Sequence, residues 1–226
     1  MQRNRQPEIL DSLAPEDPAA RHNRRDLRLI NRLLGSTGWF ARTLAARLRP
    51  GASALEIGAG TGELGEALAA RGLAWDGLDL WPRPPGWPAA RAWHQADLRA
   101  FGGYGRYEAV AGNFILHQFS DAELAELGGR LAAGPHLLVF SEPVRRRALQ
   151  IACRLLLPAL GANYVSRHDA HVSIASGFLG EELPALLGLA PAAWAWRCHT
   201  TALGAYRMVA WRRPDPSGPG GSRPTP

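Results

Sequence analysis

The residues with the clearest chemical signature lie between Glu56 and Gly62. Glu56-Ile57-Gly58-Ala59-Gly60-Thr61-Gly62 sets a carboxylate ahead of three alternating glycines. Glycine has no Cβ, so the chain can take positive φ there and a ligand can lie against bare backbone. A helix starting at Glu63 would aim free N–H groups and its positive dipole end at that ligand. Gly60-Thr61-Gly62-Glu63-Leu64-Gly65 also fits the G-x-G-x-x-G dinucleotide fingerprint, a weak signal by itself. The carboxylate of Glu56 favours a ligand carrying positive charge over one carrying a pyrophosphate. A second acid, Asp79, lies 21 residues beyond Gly58. A parallel strand beside the first would bring it next to the glycine turn, where a carboxylate can accept from both hydroxyls of a ribose; the alternative is an aspartate capping its own loop. His117 and His168 are candidate general bases, because an imidazole titrates near neutral pH.

The elements needed to position these groups are legible. Ala54 to Ile57 is a short apolar run, read as a buried strand, and Leu64, Ala67 and Leu68 mark one face of the helix after the turn. Leu73 to Leu80, Ala92 to Gln95, Tyr107 to Ala111 and His136 to Phe140 read as further strands. Ser120-Asp121-Ala122-Glu123 is a capping box opening a helix to about Ala133. Ala193 to Thr200 and Tyr206 to Trp211 read as two strands joined around Gly204.

The Glu-x-Gly-x-Gly-x-Gly spacing resembles the first motif of class I S-adenosylmethionine-dependent methyltransferases, and the resemblance runs over roughly residues 52 to 142. It implies an α/β fold: a doubly wound, mostly parallel seven-stranded Rossmann-like sheet with a C-terminal antiparallel hairpin and a helical N-terminal extension. It implies S-adenosyl-L-methionine as cofactor, bound by Glu56, Gly58, Ala59, Gly60 and Gly62 on the first motif. It places Asp79 and Leu80 at the ribose, and Asp97 and Leu98 at the adenine, the carboxylate accepting from the amino group and the next N–H meeting the ring. Trp81 would pack on the adenine or cover the sheet edge.

Asn113, beyond the fourth strand, should open on the same crevice. Asn113-Phe114-Ile115-Leu116 lacks the prolines common in enzymes that methylate amide or base nitrogens, and neither Cys153 nor Cys198 follows a proline as a cytosine-carbon nucleophile would. Phe114 to Leu116 are instead similar to the small-molecule group that includes quinone-ring methyltransferases. A small, hydrophobic or aromatic acceptor is the expectation. Two other classes stay open, a nicotinamide-dependent oxidoreductase and a non-catalytic S-adenosylmethionine-binding protein.

A chain of 226 residues with 46% apolar content suits one α/β domain. The net charge is +6, and all 26 basic residues are arginine, a compositional bias rather than a nucleic-acid footprint, so no nucleic-acid partner is expected. Two cysteines without zinc or disulfide spacing and no visible leader point to the cytoplasm. No metal is expected; His168-Asp169-x-His171 reads as solvated or capping residues.

Residues 1–16 read as a frayed, disordered tail and 17–213 as the single domain. Within it, 17–50 forms a helical cap, with Asp17-Pro18 starting a helix to about Leu34 and a second helix from about Thr37 to Leu48. Arg21, Arg25, Arg28 and Arg32 form a stripe read as a solvated face, or as a contact for anionic lipid or an acidic substrate. Residues 144–178 are expected to cover the acceptor: a helix from Val144 stopped by Pro158, its apolar side inward, then an irregular lid from Gly161 to Phe178. Arg154 makes that helix a poor membrane span, so membrane contact is at most peripheral. Leu179 to Leu187 reads as a helix, and 214–226 as a disordered tail.

Overall fold

A computed structural model describes residues 1–70 and 72–214. The chain builds one sheet of seven strands: β1 (Ser53–Ile57), β2 (Ala74–Asp79), β3 (Trp93–Gln95), β4 (Ala109–Asn113), β5 (Leu137–Pro143), β6 (Trp194–Thr200) and β7 (Ala205–Arg212). Their order is β3-β2-β1-β4-β5-β7-β6. The first five strands run parallel, and β7 pairs antiparallel with both β5 and β6. This is the doubly wound sheet with an antiparallel hairpin that the sequence implied.

Alternation along the central strands feeds two cores, as a sheet covered on both faces requires. Leu55, Ile57, Val110, Leu138 and Phe140 face α4 (Asp121–Ala133) and the short α7 (Glu182–Leu186). Ala54, Trp75, Ala109, Ala111 and Val139 face α2 (Ser36–Ala45) and α3 (Glu63–Ala69). Ser120 caps α4 in the expected reciprocal box with Glu123. Asp17 caps α1 (Pro18–Leu33) through the Ala19 N–H, and Gly35 at φ 63° turns the chain into α2.

Three expectations fail. Residues 1–16 are docked rather than frayed: Arg3 reaches Phe119 O, Ser176 O and Asp121, and the Ile9 and Leu10 N–H groups donate to Asp169. The irregular lid is α6 (Tyr164–Ser176), with Asn163 accepting from the Ser166 N–H as its cap. Its inward positions Ser166, Asp169 and Ser176 are polar because their partners are Asp26, the N-terminal backbone and its own carbonyls, so no apolar period appears. Finally, α5 (Arg147–Ala159) runs through Pro158 instead of stopping there, and Ile151, Leu155 and Leu156 point outward. A proline in a last, exposed turn gives up a single backbone bond. The C-terminal tail lies outside the described residues from 215 on.

Candidate functional site

The parallel register sets the site. Ile57 pairs with Leu78 on one side and Gly112 on the other, so Asp79 and Asn113 stand one residue further on, flanking Gly58. Strand order reverses between β2-β1 and β1-β4, and the crevice beyond their carboxyl ends is where open α/β sheets bind ligands. A cavity of about 660 Å³ opens there. It is bordered by Glu56, Gly58, Ala59, Gly60, Asp79, Leu80, Asp97, Leu98 and Asn113, nine of the ten residues expected to hold the cofactor.

The turn is built from backbone that only glycine accepts easily. Gly58 has φ 64°, and a Cβ on it would lie 2.6 Å from Ile115 Cγ1. Gly60 has φ 53°, and a Cβ there would meet nothing within 4 Å, which places its bare backbone against the open cavity. Gly62 corrects the expectation. It does not border the cavity; it caps α3 at φ 80°, and a Cβ would strike Trp87 Cε3 at 2.7 Å. Trp87 thus anchors the proline-rich loop onto the glycines, its Nε1 donating to Ala92 O at 3.2 Å.

Glu56 lies buried on the cavity floor, accepting from Trp75 Nε1 at 3.0 Å. It makes no ion pair among the described residues. Burial pushes its carboxyl up to about 8, with Asp79 adding to the push while the Trp75 and Gly65 N–H groups oppose it. Asp79 accepts from Gly60 N at 2.8 Å and Trp81 N at 2.9 Å. Burial raises it, against those N–H bonds. Each oxygen keeps lone-pair capacity for a further donor. Asp97 is held below the usual carboxylate range by Arg99, which donates to it at 2.6 Å. Trp81 borders the cavity with the Arg24 guanidinium 5.0 Å from its ring centroid.

On the far side, Asn113 Nδ2 donates to Asn31 Oδ1 at 2.9 Å, while Asn113 Oδ1 and Ser36 Oγ are buried without a partner among the described residues. Phe114, which also borders the cavity, sits at φ 57°, the only non-glycine at positive φ among the described residues. Such strain costs on the order of 1–3 kcal/mol and marks functional turns. The following loop is locked by buried Glu142, which accepts from the N–H groups of Ile115, Leu116 and His117.

Neither histidine stands at the cavity. His117 is buried, with Nδ1 2.7 Å from Glu142 and Nε2 3.0 Å from Glu8. Burial alone would depress its charged form, but the two carboxylates override that and raise it to about 10. An imidazolium so held takes up no further proton near neutral pH, which removes it as a general base. His168 is exposed on the outer side of α6, 3.0 Å from Asp169. The sequence reading also missed contributors from the N-terminal elements. Asn31, Arg28 and Arg32 of α1 border the cavity, so the arginine stripe is in part a cavity rim. Asp11 borders it too; desolvation, with Glu8 and Asp169 nearby, pushes its carboxyl up to about 6. No periodicity or motif flagged Asp11 or Asn31.

No family model matches this chain. No curated protein sequence matches it either. Its fold is similar to that of the plantazolicin methyltransferase BpumL in complex with SAH and a pentazolic desmethylPZN analog, at 11% identity over 88% of this chain and 92% of that one, with a TM-score of 0.68. It is also similar to magnesium protoporphyrin IX methyltransferase (ChlM) from Synechocystis PCC 6803 with bound SAM, at 15% identity over 91% and 88%, with a TM-score of 0.56. A putative O-methyltransferase from Nostoc punctiforme PCC 73102 aligns at 13% identity over 79% and 56%, with a TM-score of 0.54.

Proposed function

We propose that this chain is an S-adenosylmethionine-dependent methyltransferase acting on a small acceptor. The observation that carries the reading is Glu56: a carboxyl buried on the cavity floor at the carboxyl edge of β1, with no cation paired to it among the described residues. A ligand ammonium supplies the missing partner, and a pyrophosphate does not. The remaining groups fit the rest of that nucleoside: bare backbone at Gly58 and Gly60, Asp79 to accept from ribose hydroxyls, Asp97 and Leu98 for an adenine edge. S-adenosylmethionine supplies a methyl on a sulfonium, a good leaving group for in-line displacement.

The protein's own part is then chiefly positioning, worth up to roughly 7–11 kcal/mol of barrier. Phe40, Phe114, Ile115 and Phe119 give the cavity apolar walls for a hydrophobic or aromatic acceptor. Asn113 Oδ1 can orient an acceptor O–H or N–H. Asp11 is the candidate to take a proton, since a carboxylate raised to about 6 is ionised yet basic at neutral pH. The test follows labelled methyl from S-adenosylmethionine to a panel of phenols, quinols, aromatic carboxylates and amines. We expect label in at least one acceptor and a loss of rate in Asp11→Asn. A chain that binds S-adenosylhomocysteine but labels none of the panel would be a binding protein. One that binds NADH instead would be an oxidoreductase.

A further inference from the structure

Helix α5 packs Leu149 against the core but turns a second set of apolar residues to solvent. Ile151, Leu155 and Leu156 are 54%, 69% and 59% exposed, and Leu160, just after the helix, is 68% exposed. Gln150 is the one buried residue of α5, and its Nε2 donates to His171 O at 2.9 Å on α6. At about 100° per residue, Ala148, Ile151, Ala152, Leu155 and Ala159 fall within one outward arc, with Leu156 on one margin. Arg147 and Arg154, seven residues apart, line the other margin. Tyr164, at the start of α6, adds an exposed amphipathic ring. No residue between Pro143 and His168 is acidic. Arg146, Arg147, Arg154 and Arg167 are exposed and make no ion pair with an acidic residue among the described residues.

We propose that this face docks on an anionic lipid surface, with α5 lying in the plane of the interface. Its leucines would enter the headgroup–acyl boundary, and its arginines would extend to lipid phosphates. An outward apolar arc edged by arginine is the pattern of an interfacial helix, and arginine can bury its stem while keeping its head at the phosphates. Charge decides against a second copy of this face. A second copy meeting face to face would oppose arginine with arginine and offer no carboxylate in return. No helix among the described residues is long and apolar enough to cross a membrane, so the contact is peripheral.

The test is co-sedimentation of the full chain with vesicles of phosphatidylcholine alone or with about a third phosphatidylglycerol. Binding to the anionic vesicles is expected, with little binding to the neutral ones. Arg147→Gln with Arg154→Gln should weaken it roughly thirtyfold, about fivefold for each arginine. Leu155→Ser with Leu156→Ser should weaken it at least about tenfold. Both pairs are exposed, and their thermal melts should match the unmodified chain; if one pair fails to fold, the other pair and the lipid comparison still decide. Failure of the unmodified chain to sediment with the anionic vesicles overturns the proposal. So does binding that the leucine variant keeps and salt abolishes, which would be attraction by net charge alone. A dimer that the leucine variant dissociates, without vesicle binding, makes the face a self-interface instead.

Discussion

If Glu56 meets a ligand ammonium, binding must expel a proton. With its carboxyl at about 8, Glu56 holds about 0.9 of a proton at pH 7. An ammonium alongside stabilises the ionised form and drives that proton off. Titration of S-adenosylhomocysteine into the protein at pH 7, in buffers of different ionisation enthalpy, should report release of about 0.9 proton per site. The dissociation constant should weaken about tenfold from pH 7 to pH 6, a cost of about 1.4 kcal/mol. Glu56→Gln retains an acceptor for Trp75 Nε1, so it should fold yet release no proton and bind far more weakly. The folded carboxyl is raised above its ordinary 4.5, so its contribution is full below that pH and is lost as pH rises through about 8. Glu56→Gln should therefore gain stability over the parent chain as pH rises toward 9. A parent chain releasing no proton at pH 7, or a variant releasing as much, would refute the ammonium assignment.

The two inner glycines should respond differently. Gly58→Ala combines positive φ with a clash at Ile115 and should cost about 2–4 kcal/mol of stability by urea unfolding. Gly60→Ala has free space, so it should cost about 1 kcal/mol of stability while its methyl intrudes on the ligand and weakens binding. His117 is raised from 6.5 to about 10, so its stabilisation is present below pH 6.5 and is lost as pH rises through 10. Its ring should titrate near 10 by NMR. His117→Ala should cost about 3–5 kcal/mol at pH 7 by stranding two buried carboxylates; a ring titrating near 6.5 would contradict this.

Much of the fold was legible because its signals are local. Short apolar runs, the Ser120 capping box and Asp17-Pro18 each act within a few residues, and the glycine spacing with Asp79 located the crevice. What stayed hidden rests on long-range polar pairing. Glu8 meets His117 and Ser173, and Asp169 meets the Ile9 and Leu10 amides, so a polar N-terminal stretch and a polar helix face each satisfy the other without an apolar period. His117 looked like a base because its two carboxylate partners lie 25 and 109 positions away in the chain. Outward leucines on α5 defeat any rule that apolar arcs face a core, since a stripe has the same period whatever covers it.

This crevice is proposed to hold a sulfonium nucleoside. That occupancy is tested most directly by calorimetric titration of S-adenosylhomocysteine, with NADH in parallel, into the full chain and Asp79→Ala. One site per chain is expected for S-adenosylhomocysteine, none for NADH, and a loss of roughly 1.5–3 kcal/mol in the variant. No heat from S-adenosylhomocysteine at millimolar concentration, or an unchanged dissociation constant in Asp79→Ala, would contradict it.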